Sequence, residues 1–260
     1  MIRRFWSEFF RKLRKTAVLV QTPRFCRGLL AGVAAGVEHE ALLRSLGDVR
    51  TVVDIGANKG QFTLMALELF PHATVHAFEP LAAAFARLKA WSGNETRLVG
   101  YRLALAAVAG QRTMHISARM DSSSLHPISQ RQTTQFPGTH EVGQEVVAAA
   151  RLDEILTAAD LQPPSLLKID VQGGELDVLH GAAGVLACFD WVYAECSFVE
   201  LYQGQGLIDD VADFLAAAGF QATVYWQPCW DDAGNPVQAD ILFSRMAKMG
   251  PGVPDIRCDD

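Results

Sequence analysis

From about residue 50 the chain alternates short β-branched apolar runs with stretches of helical periodicity, and this alternation constrains the fold more than any other feature. "TVVDIG" is an apolar run that ends at a turn, and "KGQFTLMALELF" after it has helical spacing and stops at Pro71. "ATVHAFEP" reads as a second strand, "LAAAFARLKAW" as a second helix ending near Ser92-Gly93-Asn94, and "TRLVGYRLALA" as a third strand. Strand, helix, strand, helix, strand at these spacings implies right-handed crossovers and a parallel sheet. The alternation resumes with a short helix "LDEILTAA", a strand "SLLKIDV", a helix "GGELDVLHGAAGVL", a strand "DWVYAECSF" and a helix "IDDVADFLAAAG". "FQATVYW" and "VQADILFSR" close the pattern as a hairpin, so one of its strands must run antiparallel to the rest. The expected domain spans 46–245: an α/β sheet of about seven strands, mostly parallel, with helices on both faces.

Between the two halves lie "QRTMHISA" and "GQEVVAAARL", which read as strands, separated by "RMDSSSLHPISQRQTTQFPGTH". A stretch that long without periodicity inside a compact domain points to substrate contacts or a lid. Ahead of the domain, residues 1–45 form a separate expected segment, and residues 246–260 a tail. Residues 1–30 hold eight Lys and Arg against one acid, whereas the remaining 230 hold 15 basic and 28 acidic residues. The body therefore lacks the clustered cations that nucleic-acid phosphates require. Residues 1–20 read as a basic amphipathic helix with bulky aromatics. This suits a membrane interface, packing on the domain, or a contact between the two chains of a homodimer. No apolar run reaches the roughly 20 residues of a membrane span, and "AVLVQTPRFCRGLLAGVAAG" is broken by Pro23, Arg24 and Arg27, which argues against a signal peptide. The five cysteines are scattered and form no CxxC pair, the pattern of reduced thiols in a cytoplasmic protein.

Ligands of open parallel sheets sit outside the carboxyl ends of the strands. "VDIGANKG" and "FEP" both fall there. Gly56 and Gly60 remove side chains where a ligand approaches the backbone, and the following helix offers free N–H groups. Asp54 precedes the glycines, a position that suits an ammonium group better than a pyrophosphate. Glu79 ends the next strand, where a carboxylate can accept hydrogen bonds from two ribose hydroxyls. The spacing Gly56-xxx-Gly60 differs from the GxGxxG of dinucleotide sites. A ligand with an amino-acid end and a ribose but no phosphate, such as S-adenosylmethionine, fits these residues.

With "VVDIGANKGQFT" and "FEP" come "RLDEIL", "LLKIDVQGGELDVLHGA", "AECSFVELY", "FLAAAGF" and "ADILF". Together, over about residues 50–245, they resemble the FkbM family of S-adenosylmethionine-dependent methyltransferases. The resemblance implies the class I methyltransferase, Rossmann-like fold and O-methylation of a hydroxyl on a saccharide, glycoconjugate or related natural product. Carried over by position, Asp54, Gly56, Asn58 and Gly60 line the methionine end of the cofactor and Glu79 holds the ribose. Leu103 and Ala104 lie beside the adenine, and Ser123 belongs to a serine pair common in the family; it or Ser124 equally suits a helix cap.

Methyl transfer to a hydroxyl needs alignment and a means of removing a proton. Asp170 ends the fourth parallel strand and Glu195 the next, so the two carboxylates should meet at the mouth of the site, with Glu175 at the start of the helix between them. One of them can take the proton directly, or Asp170 and Glu195 can hold a divalent cation such as Mg²⁺; both routes are open at this point. Lys168 is a weaker site residue, and His126 and His140 fall in the long loop. Tyr202 and Trp226 suit an aromatic wall for a sugar. A nicotinamide-dependent oxidoreductase is the alternative enzyme, disfavoured by the missing GxGxxG and the absence of a Tyr-xxx-Lys pair. A cofactor-binding scaffold without catalysis is the other.

Overall fold

The computed structural model describes residues 22–246. The basic helix expected over residues 1–20 and nearly all of the tail 246–260 lie outside them. The strands are β1 (Thr51–Ile55), β2 (Thr74–Phe78), β3 (Leu98–Tyr101), β4 (Ala104–Leu105), β5 (Gly110–Ser117), β6 (Glu141–Ala150), β7 (Ser165–Ile169), β8 (Trp191–Ser197), β9 (Phe220–Trp230) and β10 (Pro236–Arg245). The helices are α1 (Pro23–Leu30), α2 (Glu40–Ser45), α3 (Gln61–Leu69), α4 (Ala82–Ser92), α5 (Gln130–Gln135), α6 (Leu152–Ile155), α7 (Glu175–Gly181) and α8 (Ile208–Ala217). Among the described residues, no helix is long and apolar enough to cross a membrane.

The main sheet has seven strands in the order β3-β2-β1-β7-β8-β10-β9. β10 runs antiparallel to both neighbours, as the hairpin demands. The remaining pairings are parallel. The central strands are buried along their whole length, β1 and β7 without interruption, because helices cover both faces. Side-chain alternation sorts the core into two layers. Val53, Ile55, Leu167 and Ile169 pack with Val178 and Leu179 of α7 and Val211 and Leu215 of α8. Val52, Val75 and Leu166 pack on the other face with Phe25, Leu42, Leu43 and the α3 residues Phe62 and Met65. Residues 23–45, part of the expected 1–45 segment, thus share one of these core layers.

Two differences from the sequence reading concern the middle of the chain. The expected third strand leaves the sheet after Tyr101, and Ala104–Leu105 pairs instead with β6 in a separate three-stranded sheet, β4-β6-β5. The stretch between β5 and β6 is not structureless. It contains a 3₁₀ turn at Met120–Ser122 and α5, whose N-cap Ser129 accepts from Gln132 N at 3.2 Å. It is tied down by Ser129 N to Leu201 O at 3.1 Å and by an antiparallel bridge between Ile128 and Tyr202, so it forms an ordered roof.

The first turn is fixed by close backbone approach. Gly56 has φ +78°, and a Cβ there would lie 1.8 Å from the carbonyl oxygen of Asp170. Gly47 also has positive φ, at +77°, but open space around it. In urea unfolding, Gly56→Ala should cost at least about 3 kcal/mol, since both overpacking and backbone strain apply. Gly47→Ala should cost about 1–2 kcal/mol, from strain alone; equal losses at the two positions would refute the packing argument.

Candidate active site

The carboxyl ends of β1, β2, β7 and β8 open onto a cavity of about 380 Å³. Its wall contains Gly56, Asn58, Glu79, Leu103, Ala104 and Ser123 of the expected cofactor residues, and also Asp170 and Glu195. Asp54 and Gly60 are not on that wall. Asp54 is fully buried and shares the alternation parity of Val52, so its carboxylate points into the α3 layer. There it accepts from the Thr63 hydroxyl at 2.6 Å and faces the Lys168 ammonium at 3.8 Å. Burial raises its pKa against the pull of Lys168 and Thr63. Gly60 caps α3 at φ +86°, and a Cβ there would meet the Trp91 ring at 2.8 Å; its missing side chain makes room for Trp91.

Glu79 joins the two ligand loops. Its Oε2 accepts from Asn58 N at 2.9 Å and its Oε1 from Leu81 N at 2.8 Å. It is almost fully buried, and that burial pushes its pKa up to about 7 although both N–H groups favour the ionised form. Asn58 has φ +51°. Its Oδ1 and the Oε1 of Gln61, both on cavity-lining residues, are buried without a hydrogen-bond partner. Beyond Glu79 the wall is apolar, with Leu81, Ala84, Leu103 and Met114.

On the other side Lys168 Nζ donates to Asp170 Oδ2 at 3.1 Å. Gln172 Nε2 donates to Asp170 Oδ1 at 2.8 Å and to Glu195 Oε2 at 2.6 Å. Burial raises the pKa of Asp170, but Lys168 and Gln172 outweigh it and hold the carboxyl below its ordinary range. Glu195 is driven the other way, first by burial and then by the charge of Asp170. The two carboxyls are thus driven in opposite directions, Asp170 toward the ionised form and Glu195 toward the protonated one. Asp240, opposite Glu195 in the β8–β10 register, is pushed up to about 7 by burial and by Asp170. Lys168, with one carboxylate on each side, has its pKa raised despite its burial.

Glu175 has a structural place: its Oε1 accepts from Val171 N at 3.1 Å and Gly173 N at 3.2 Å, which shapes the turn after β7. Ser123 Oγ accepts from Ser117 N at 3.1 Å, and Ser124 Oγ donates to Gln172 O at 2.6 Å; Ser123 is also the C-cap of the 3₁₀ turn Met120–Ser122, through its backbone N–H to Met120 O. His126 lines the cavity and His140 does not. Tyr202 is buried rather than walling the site, and its hydroxyl donates to Gln172 Oε1 at 2.6 Å. Trp226 donates from Nε1 to Glu38 O at 3.0 Å, holding the turn that brings His39 to the cavity. His39 Nδ1 lies 2.9 Å from the Tyr193 hydroxyl. Sequence reasoning missed Gln172, Asp240 and His39. A polar residue in the turn directly after the strand-end acid, "DVQGG", was the available signal for Gln172; Asp240 and His39 had none.

The donor set at Asp170 and Glu195 does not fit a divalent cation. Both Asp170 oxygens and one of Glu195 already accept from Lys168 and Gln172, an ammonium and an amide that a cation would have to displace. Among the described residues, no group of three or more His, Cys, Asp or Glu converges as cation ligands.

Residues 54–222 match the family model described as "Methyltransferase FkbM domain". A 2-O-methyltransferase, NoeI, of Sinorhizobium fredii is 29% identical over 63% of this chain and 70% of its own length. The 31-O-demethyl-FK506 methyltransferase FkbM of Streptomyces tacrolimicus is 29% identical over 74% of this chain and 79% of its own. "Methyltransferase 1" of Beauveria bassiana is 30% identical over 69% and 75%. These likenesses support S-adenosylmethionine as cofactor. By its sheet order, its strand-end cavity and the match over residues 54–222, the chain belongs to the FkbM family of methyltransferases.

Proposed function

We propose that this enzyme transfers the methyl group of S-adenosylmethionine to a hydroxyl of a saccharide, glycoconjugate or related natural product, with Asp170 as the proton acceptor. The observation that carries the reading is the ionised Asp170 carboxylate, one-third exposed on the cavity wall and held between Lys168 and Gln172. Relatives support the acceptor class: the names of two specify O-methylation and that of a third, from Haloferax volcanii, a hexuronic acid.

The cavity suits the cofactor on three counts. Glu79 supplies a carboxylate for the ribose hydroxyls, the unpartnered Asn58 Oδ1 an acceptor for the ammonium, and Leu103 and Ala104 an apolar seat for the adenine. Bound there, S-adenosylmethionine supplies a methyl group on a sulfonium for in-line displacement by the acceptor oxygen, giving a methyl ether and S-adenosylhomocysteine. Asp170 takes the hydroxyl proton as the new C–O bond forms. Lys168 and Gln172 keep that carboxylate charged and aimed, and the raised pKa of Glu195 lessens the charge that would repel it.

Asp170→Asn should lower turnover by at least about 100-fold, measured as methylated product by mass spectrometry across a panel of methyl glycosides and polyols. Its S-adenosylhomocysteine affinity should stay within about threefold. Undiminished turnover would refute the base assignment, and a panel without any methylated product would refute the acceptor class. EDTA should leave turnover unchanged, because the proton route needs no cation.

The ionised form of Glu79 is the one that accepts from ribose hydroxyls. Its folded-state pKa of about 7 lies above the ordinary 4.5, so the group gains a proton as pH falls through 7. S-adenosylhomocysteine affinity measured by calorimetry should therefore drop about tenfold between pH 8 and pH 6. Glu79→Gln should bind more weakly at pH 8 and show a flat profile. The same pH dependence in that variant would assign the titration to another group.

A further inference from the structure

We propose that Gln172 is a positioning residue for methyl transfer and that Tyr202 locks which end of its amide faces Asp170 and Glu195. The proposal rests on the reading of Asp170 as proton acceptor and adds how that carboxylate is held. The two ends of an amide are chemically opposite: only the NH₂ end can serve two carboxylate oxygens. Here Nε2 lies 2.8 Å from Asp170 Oδ1 and 2.6 Å from Glu195 Oε2. Turned by 180°, the amide would aim its carbonyl oxygen at the Asp170 carboxylate, which has no proton to give, and lose that hydrogen bond.

The Asp170 carboxylate, which only accepts, favours the NH₂ end, and the partner of Oε1 holds the other end in place. The Tyr202 hydroxyl lies 2.6 Å from it and 3.2 Å from Ser122 O. With its one proton on the shorter contact, Tyr202 donates to the amide oxygen, and the NH₂ end is left for the acids. Tyr202 is 1% exposed, so water does not compete for this bond.

The backbone is arranged for the same purpose. Gln172 has φ +59°, a left-handed conformation uncommon for a residue with a side chain. Such outliers persist only where the surroundings hold them, and they gather at functional sites. Ser124 Oγ holds this one by donating to Gln172 O at 2.6 Å. Gly173 beside it leaves room for the tyrosine, since a Cβ there would sit 3.0 Å from Tyr202 Cβ. Ser122, Ser124 and the bridge of Ile128 to Tyr202 all belong to the roof. The roof over the acceptor side and the aim of the two carboxylates are therefore one arrangement, joined at Gln172 and Tyr202.

A packing role for Tyr202 would be kept by phenylalanine, which separates the two explanations. The deciding measurement is the ¹⁵N side-chain amide spectrum of the full chain with S-adenosylhomocysteine bound. The Gln172 pair, identified by its loss in Gln172→Met, should exchange at least about tenfold more slowly than exposed amides. In Tyr202→Phe that protection should disappear while S-adenosylhomocysteine affinity stays within about twofold. Protection that survives in Tyr202→Phe, or is absent from the unmodified protein, overturns the lock.

Turnover is the second arm. With the best acceptor of the glycoside panel, kcat of Tyr202→Phe should fall about tenfold, the loss of about 1.4 kcal/mol of transition-state stabilisation, with the KM for S-adenosylmethionine unchanged. Gln172→Glu, of the same length but without the donor, should lose more than Gln172→Met. Unchanged kcat in Tyr202→Phe and Gln172→Met overturns the positioning role. If Tyr202→Phe does not fold, the ranking of Gln172→Glu below Gln172→Met decides, and equal losses count against the proposal. Failure of the base reading appears separately, as full turnover in Asp170→Asn.

Discussion

The site depends on one buried cation. Lys168 is 5% exposed and lies between Asp170, at 3.1 Å, and Asp54, at 3.8 Å. An unpaired ammonium in this position would be costly, and so would either carboxylate without it. Lys168 and Asp54 are register partners on β7 and β1, so the attraction also joins the two central strands at the end where the cavity opens. The Phe62 ring, 5.6 Å from the ammonium, closes the cluster from α3. The charge of Asp170 is a consequence of this arrangement: burial pushes the pKa of the carboxyl up, and Lys168, with Gln172, more than reverses that.

A second constraint lies directly above it. The Asp170 carbonyl approaches Gly56 so closely that no side chain fits between the β1 turn and the β7 turn. The turn after β1 and the strand-end Asp170, proposed to face cofactor and acceptor, are thereby held at a fixed separation by backbone packing. In-line methyl transfer requires such fixed separation, because donor carbon and acceptor oxygen must meet on one axis. Glu79 extends the same rigid unit to β2 by accepting from the loop N–H of Asn58.

Much of this was readable in the residues. The helix–strand alternation gave the sheet, the terminal hairpin gave the antiparallel strand, and the ends of two consecutive parallel strands brought Asp170 and Glu195 together. The differences have physical causes. The strand-end position of Asp54 reads as a ligand contact, whereas its register partner on β7, Lys168, is a contact that the local pattern does not show. Gly60 was read as ligand clearance because Trp91, the ring that needs the space, lies a helix and a strand away in sequence. The roof was read as irregular because its order comes from single contacts to distant segments, Leu201, Tyr202 and Gln172 among them, and not from a period. Gln172 and Tyr202 are 30 residues apart, and local pattern carries no sign that they touch.

The two sides of the cavity also differ in origin along the chain. The wall that suits the cofactor comes from residues 56–104, at the start of the segment matched by the family model. The opposite wall includes Glu38 and His39 before that segment and Gln238 after it. These flanking pieces are fixed to each other: Trp226 and Gln227 on β9 both donate to Glu38 O, at 3.0 and 2.8 Å. Two donors converging on one carbonyl hold the turn that carries His39, and Gly36 N ties it to Gln61 O at 3.0 Å. Cofactor chemistry common to a family requires a constant wall, while a change of acceptor requires a wall that can vary without disturbing it. Here the chain on either side of the matched segment adds Glu38, His39 and Gln238 to the wall that also holds Lys168, Asp170 and Glu195.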